Sequence, residues 1–302
     1  MKAIFISDYI NAPSRGHANF EFVDVYLNGD NRLFIDPCLI DRLDDPWSLK
    51  ASEQMKTFFD CLFEGFRKNN IYTGSLLSHA GEQNATKLGY GNGENGKGKT
   101  AEGLWDSLKS LSVLMHDIPT ICCVQDIPVL VEGFAEDCMS DLLTNILHDM
   151  LNSFTAEQML LWNCPAQGEK TFWTWDATLK DWIQVRRPTW FYQGKELLLV
   201  PKCIVRRNYL FKAHQYLYGV IIERMRDSKG WHDLKKIDIW NNIPRNSEHW
   251  EYATVISFSK EYPDALTEYH DRIPKYYGRA NGCMSDEDLD TAVYVRIIQQ
   301  SA

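Results

Sequence analysis

The sequence lacks any apolar run long enough to span a bilayer, any CxxC pair, any HxH or HExxH spacing, any internal repeat and any long linker. Each absence excludes a class. Without a run of about 20 apolar residues no membrane-spanning helix is expected. The eight cysteines (Cys38, Cys61, Cys122, Cys123, Cys138, Cys164, Cys203 and Cys283) fall at irregular spacing, and the eight histidines add no ligand pattern, so no structural zinc site is expected. The opening Met1-Lys-Ala-Ile-Phe-Ile-Ser-Asp8 meets an acid too soon for the apolar core of an export signal, which points to reduced thiols in the cytoplasm. Positive charge is also short. A net charge of −9 repels phosphate backbones at long range and argues against a general DNA-coating protein. A local basic groove stays compatible with that surface, because cellular salt screens charges beyond about 8 Å.

The 302 residues, 44% hydrophobic and 24% charged, suffice for one large domain or two modest ones with a real core. Aromatics reach 13%, ten of them Trp, and suit a core edge or a binding surface. The patterning predicts a mixed α/β fold. A central sheet with helices occupies 1–205, and a mostly helical region occupies 206–302. Residues 20–36 alternate around an Asn28-Gly-Asp-Asn31 turn and predict a β-hairpin in which Val25 faces Ile35 and Asp24 faces Asp36. Met55, Phe58, Phe59, Leu62, Phe63 and Phe66 recur at helical spacing and predict a helix over 48–68. Further helices are expected over 101–114, 139–151 and 156–162, and a basic one over 206–226. Strands are expected at 120–125, 129–131, 196–200 and 292–298, and a Trp-rich hairpin over 171–185.

Three motifs carry chemistry. Gly93-Glu-Asn-Gly-Lys97-Gly-Lys99-Thr100 fits the spacing of a phosphate-binding loop, in which backbone N–H groups at a helix start cradle phosphates. No hydrophobic strand leads into it, so a plain Gly/Lys loop, or one touching a phosphate backbone through Lys97, Lys99 and Thr100, competes with nucleotide binding. The second motif is acidic. Glu82 precedes that loop, and Asp137 and Asp141 lie one helical turn apart, with Asn145 extending their face. Carboxylates grouped in this way hold magnesium, which keeps waters and activates one as a nucleophile. The competing reading makes Asp137 a helix cap and Asp141 a partner of the helix's positive end. The third motif is Leu197-Leu-Leu-Val-Pro-Lys202, a strand delivering a lysine as in the second half of a PD-(D/E)xK nuclease site, with Val200 standing where an acid is expected. Arg186, Arg187, Arg206, Arg207 and Lys212, interleaved with Trp190, Tyr209 and Phe211, form a candidate nucleic-acid patch or an ordinary solvated basic face.

Taken in order, Arg32-Leu-Phe-Ile-Asp-Pro37, Gly81-Glu-Gln-Asn-Ala-Thr-Lys-Leu-Gly89 with its glycine-rich continuation, Leu130-Val-Glu-Gly-Phe-Ala-Glu-Asp-Cys-Met-Ser-Asp-Leu-Leu-Thr-Asn145 and Leu198-Leu-Val-Pro-Lys202 resemble an uncharacterised group of bacterial proteins. That group is associated with mobile islands and phage-defence neighbourhoods, and the resemblance spans most of 20–210. It implies a setting in defence or mobile-element conflict and brings no reaction with it. The residues themselves yield three expectations. The first is a magnesium-dependent nuclease using Glu82, Asp137, Asp141 and Lys202. The second is a non-catalytic interaction protein, such as a defence-complex subunit or a phage-encoded inhibitor. The third is nucleotide binding through 93–100. Expected partners are DNA or RNA, a defence-system protein, or a second copy of the chain.

Overall fold

The apolar stripe from Met55 to Phe66 does form one helix, α1, over Pro46–Arg67, and every residue of the stripe is buried. Its start follows from local chemistry. The Asp45 carboxylate accepts the backbone N–H groups of Trp47 and Ser48 at 3.0 Å each, and Pro46 supplies a φ already suited to a first turn. The computed structural model describes residues 4–68, 73–90, 100–134, 136–279 and 282–295.

Helices α2 (Ala101–Asp117), α3 (Asp126–Leu130), α4 (Glu136–Ile146) and α5 (His148–Leu161) follow α1. Strands β1 (Phe34–Ile35), β2 (Gly168–Asp176), β3 (Asp181–Tyr192), β4 (Lys195–Leu197) and β5 (Val205–Arg206) form two small antiparallel sheets, ordered β1-β5 and β2-β3-β4. The Trp-rich hairpin is present as β2–β3, with Trp175 opposite Trp182. Both rings pack edge-on against Phe58 of α1. The C-terminal region is helical, with a run over 213–228 followed by α6 (Lys236–Asn242), α7 (Trp250–Glu261), α8 (Asp264–Arg279) and α9 (Asp286–Asp290). The fold is mixed α/β, as the patterning predicts. Helix makes up 53% and strand 12%, so helix packing dominates the core. One continuous buried cluster runs from Phe5 to Val293. Among the described residues no helix is long and apolar enough to cross a membrane.

Several local expectations are corrected. Residues 20–36 are not a hairpin. The alternation there is real, but it serves different partners: Phe22 bridges Pro201, Tyr26 bridges Phe5, and Phe34–Ile35 pair with Arg206 and Val205. Asp24 and Asp36 therefore do not face each other, and both are fully buried. The strands expected at 120–125 and 129–131 are absent. The Asp126 carboxylate instead accepts the N–H groups of Cys122 and Cys123 at 2.9 and 3.0 Å and opens α3. A short apolar run buried all round carries no period that separates strand from helix. The helix expected from 206 begins at Ala213, and Thr291–Val295 is helical where the strand over 292–298 is expected to start, with 296–298 outside the described residues.

Asp36 shows how the two ends of the chain are joined. It accepts the Cys38 N–H at 2.8 Å and the hydroxyl of Tyr277 from α8. Burial pushes its carboxyl up to about 7, against the pull of these bonds and of the Arg206 charge. A folded-state value above the unfolded one means this group's contribution is complete below about pH 4 and is lost as pH rises towards 7. Replacing Tyr277 with Phe removes a donor to the carboxylate. The variant is expected to lose about 1–2 kcal/mol at neutral pH and less at pH 4, as measured by urea unfolding at both pH values.

Candidate functional site

Asn31 builds the floor of the acidic region. Its side chain accepts the Tyr26 N–H at 2.9 Å and donates to the Tyr26 and Lys87 carbonyls at 3.1 and 2.9 Å. Its backbone N–H donates to the Lys87 carbonyl, and its own carbonyl accepts the Gly89 N–H, both at 2.9 Å. Segment 84–90 is thereby fastened beside 28–31, with Lys87 held at φ 58°. A further bond, Leu198 N–H to the Ala85 carbonyl at 2.9 Å, ties the same segment to the chain just after β4.

Helix α4 grips this segment from the other side. Asp137, Asp141 and Asn145 occupy one face at i, i+4, i+8. The Asn145 amide donates to the Gly81 carbonyl at 2.6 Å. The Asp141 carboxylate takes the Gln83 backbone N–H, and that of Asp137 takes the Tyr90 N–H. Gly89, at φ +145°, lies so close that a Cβ there would stand 2.8 Å from Asp137 Oδ1, so only glycine fits.

Glu82, Asp137 and Asp141 are thus brought together, and Asp30 joins them. Burial first, then Asp30 and Glu82, push the Asp137 carboxyl up to about 6. Burial first, then Asp137, Glu82 and Asp30, push Asp141 up to about 8. Asp30 is raised by burial, with Lys87 and Lys195 acting against the shift and Glu82 adding to it. Asp30 has a sequence signal that the hairpin reading absorbed: it is the acid of the Asn28-Gly-Asp-Asn31 turn. The carboxylates surround a shared region without closing on one point. Among the described residues, the group whose ligand atoms all lie within 4.8 Å of one another is Cys122, Cys123 and His270, which includes none of these acids.

Lys202 is not part of this arrangement. Its ammonium donates to the His17 carbonyl at 2.9 Å and to Asp286 at 2.8 Å, so it docks α9. The amines beside the acids are Lys87 and Lys195. Arg186 and Arg187 lie on β3, paired at 2.8 Å with Glu169 and Asp149 respectively. Arg206 donates to the Gly282 carbonyl and lies over the Tyr277 ring, and with Arg207 it lines a separate pocket beside Met284 and Asp288. Lys212 pairs with Glu136, whose other oxygen takes the Tyr90 hydroxyl at 2.7 Å, and Arg32 lies over the Tyr90 ring. Lys97 and Lys99 lie outside the described residues. The Thr100 hydroxyl accepts the Gly103 N–H at 3.1 Å and caps α2, and the lead-in to the loop is a single bridge from Leu88 to Asn31 rather than a strand.

Residues 12–212 match DUF8370, a domain of unknown function. The chain belongs to this family. The DUF8370 region contains all four acids, whereas α6–α9 lie beyond it. No curated protein and no solved structure matches the chain.

The clustered acids predict a pH signature. With its folded value near 8, Asp141 penalises the fold progressively as pH rises from about 4 to 8. Asp141→Asn keeps an acceptor for the Gln83 N–H without the charge. In chelator-treated protein the variant is expected to gain about 1–2 kcal/mol over the parent at pH 8 and nothing at pH 4, as read from thermal unfolding at the two pH values. Equal stability of the two proteins at pH 8 would show that the carboxylates do not repel one another in the fold.

Proposed function

We propose that this DUF8370 protein cleaves nucleic acid with a divalent cation, magnesium foremost, held among Asp30, Glu82, Asp137 and Asp141. The convergence of these acids carries the reading. They come from three separate segments and share one region, and burial together with their mutual repulsion favours protons on Asp137 and Asp141 that a cation would displace. The loose spacing suits magnesium, which keeps several waters and takes only one or two carboxylates together with substrate phosphate. A cation held there would supply an activated water for attack on phosphorus, a neighbouring carboxylate would take that water's proton, and the P–O bond to the leaving sugar oxygen would break. Lys87, with Lys195 beside it, takes the charge-stabilising role that the sequence pattern suggests for Lys202. Lys97 and Lys99 follow Tyr90 in the Gly/Lys-rich stretch of the sequence and are assigned to the phosphate backbone. A role in bacterial defence or phage conflict belongs to the same proposal and rests on the resemblance of motif order alone.

The test uses purified protein with magnesium or manganese on single- and double-stranded DNA and RNA. Cleavage is expected to require the metal and to fall by roughly 100-fold or more in Asp141→Asn and in Asp137→Asn. Parent protein inert on every substrate with both metals, or acid variants of full activity, would overturn the reading and leave a partner-binding role.

A further inference from the structure

We infer that Cys122, Cys123 and His270, closed by a carboxylate oxygen of Asp126, form a binding site for a borderline-soft divalent metal ion, zinc foremost. This site is separate from the acidic one and stands on its own observations. The thiol sulfurs and the imidazole nitrogen already lie within 4.8 Å of one another. Cys123 Sγ is 3.4 Å from His270 Nε2 and 3.5 Å from an oxygen of Asp126. Zinc bonds of about 2.3 Å to sulfur and about 2.0 Å to nitrogen, at tetrahedral angles, separate those two ligands by about 3.5 Å. The observed edge therefore needs almost no movement to admit an ion. Two thiolates, an imidazole and a carboxylate select zinc or its softer neighbours over magnesium.

The donors sit on fixed supports. One Asp126 oxygen takes the N–H groups of both Cys122 and Cys123, which locks the adjacent cysteines into the turn that opens α3. The other oxygen faces His270 Nε2 at 2.5 Å. A bound ion requires this hydrogen bond to open to about 3.3 Å, the separation of nitrogen and oxygen ligands on a tetrahedral zinc. Both cysteines bind as thiolates, so loading is accompanied by proton release. Asp126 is 1% exposed, whereas Cys122 is exposed, so the site has a buried base and an open side. A cavity of about 270 Å³, lined by Cys123, His270, Gln125, Arg42 and Tyr277, adjoins it and gives an ion a path in. His270 belongs to α8, beyond the family region, while the other donors lie within it. A bound ion would staple the C-terminal helices to the DUF8370 domain.

The experiment uses the full chain, reduced and stripped with a chelator, then titrated with cobalt(II) and zinc. One equivalent of cobalt is expected to bind at the thiols. It should show thiolate-to-cobalt charge transfer and the visible bands of a tetrahedral ion, all bleached by one equivalent of zinc. In the unmutated protein, zinc is expected to slow alkylation of Cys122 and Cys123 by about tenfold or more, leaving Cys61 and Cys164 unchanged on peptide mapping. Cys122→Ser, Cys123→Ser and His270→Ala should lose the charge-transfer signal, while Cys61→Ser and Asp141→Asn keep it. Cobalt spectra without thiolate charge transfer, or equal alkylation of Cys122 with and without zinc, would overturn the site whatever the variants do. The alkylation readout requires no variant to fold, and the Asp141→Asn arm separates this site from the acidic one.

Discussion

Three carboxylates buried in the N-terminal half constrain the rest of the molecule: Asp24, Asp36 and Asp126 are at most 1% exposed. A buried carboxylate without partners is costly, so each must be answered. Backbone N–H groups answer part of the need: Ser7 for Asp24, Cys38 for Asp36, Cys122 and Cys123 for Asp126. The remainder comes in every case from the C-terminal region. Tyr294 donates to Asp24 at 2.7 Å, Tyr277 donates to Asp36, and His270 faces Asp126. The same region is held by an ion pair from Lys202 to Asp286 and by a hydrogen bond between His17 Nδ1 and Asp290. The family domain over 12–212 thus leaves acids that residues beyond it complete, and the helices after 212 act as its polar lid rather than as an appendage.

That arrangement separates two kinds of acid. Asp24, Asp36 and Asp126 are each closed by a donor from a distant part of the chain and serve the fold. Asp137 and Asp141 receive a backbone N–H from the segment they grip, yet they still face Asp30 and Glu82 and remain pushed towards the protonated form. Neighbouring charge of the same sign is what a structural role would remove and what a cation-binding role requires. The distinction decides which carboxylates to assign to chemistry. Asp36, although its carboxyl is raised to about 7, is excluded because burial alone raises it, with no like charge adding to the shift, and because Tyr277 is its partner.

Legibility in the sequence followed the range of the interaction. The stripe from Met55 to Phe66 and the Trp-rich hairpin were readable because helical and alternating periods are local. The face shared by Asp137, Asp141 and Asn145 was readable for the same reason. The alternation at 20–36 misled because a period of two reports two-sided burial but not the identity of the paired strand, and here the partners are Phe5, Pro201 and β5. Lys202 misled in a related way. A lysine at the end of an apolar run satisfies the pattern, while its direction is set by Asp286, far along the chain. Asp30 went unread because an acid in a turn needs no further explanation.

The same reasoning bears on the cysteines. A ligand search by spacing detects sites whose donors arrive in pairs along the chain, and the adjacent Cys122-Cys123, with His116 outside the usual ligand spacing, does not register. The third donor stands on α8 because Asp126 must be answered from the C-terminal region, and the residue that answers it is a histidine. A tyrosine would have satisfied the carboxylate equally well, as Tyr277 and Tyr294 do for the other two. Carboxylate satisfaction alone therefore does not account for an imidazole next to two thiols. Of the three closures, only the one at Asp126 is made by a side chain able to bind a metal ion through nitrogen, and it is also the one whose carboxylate holds two cysteines by their backbone N–H groups.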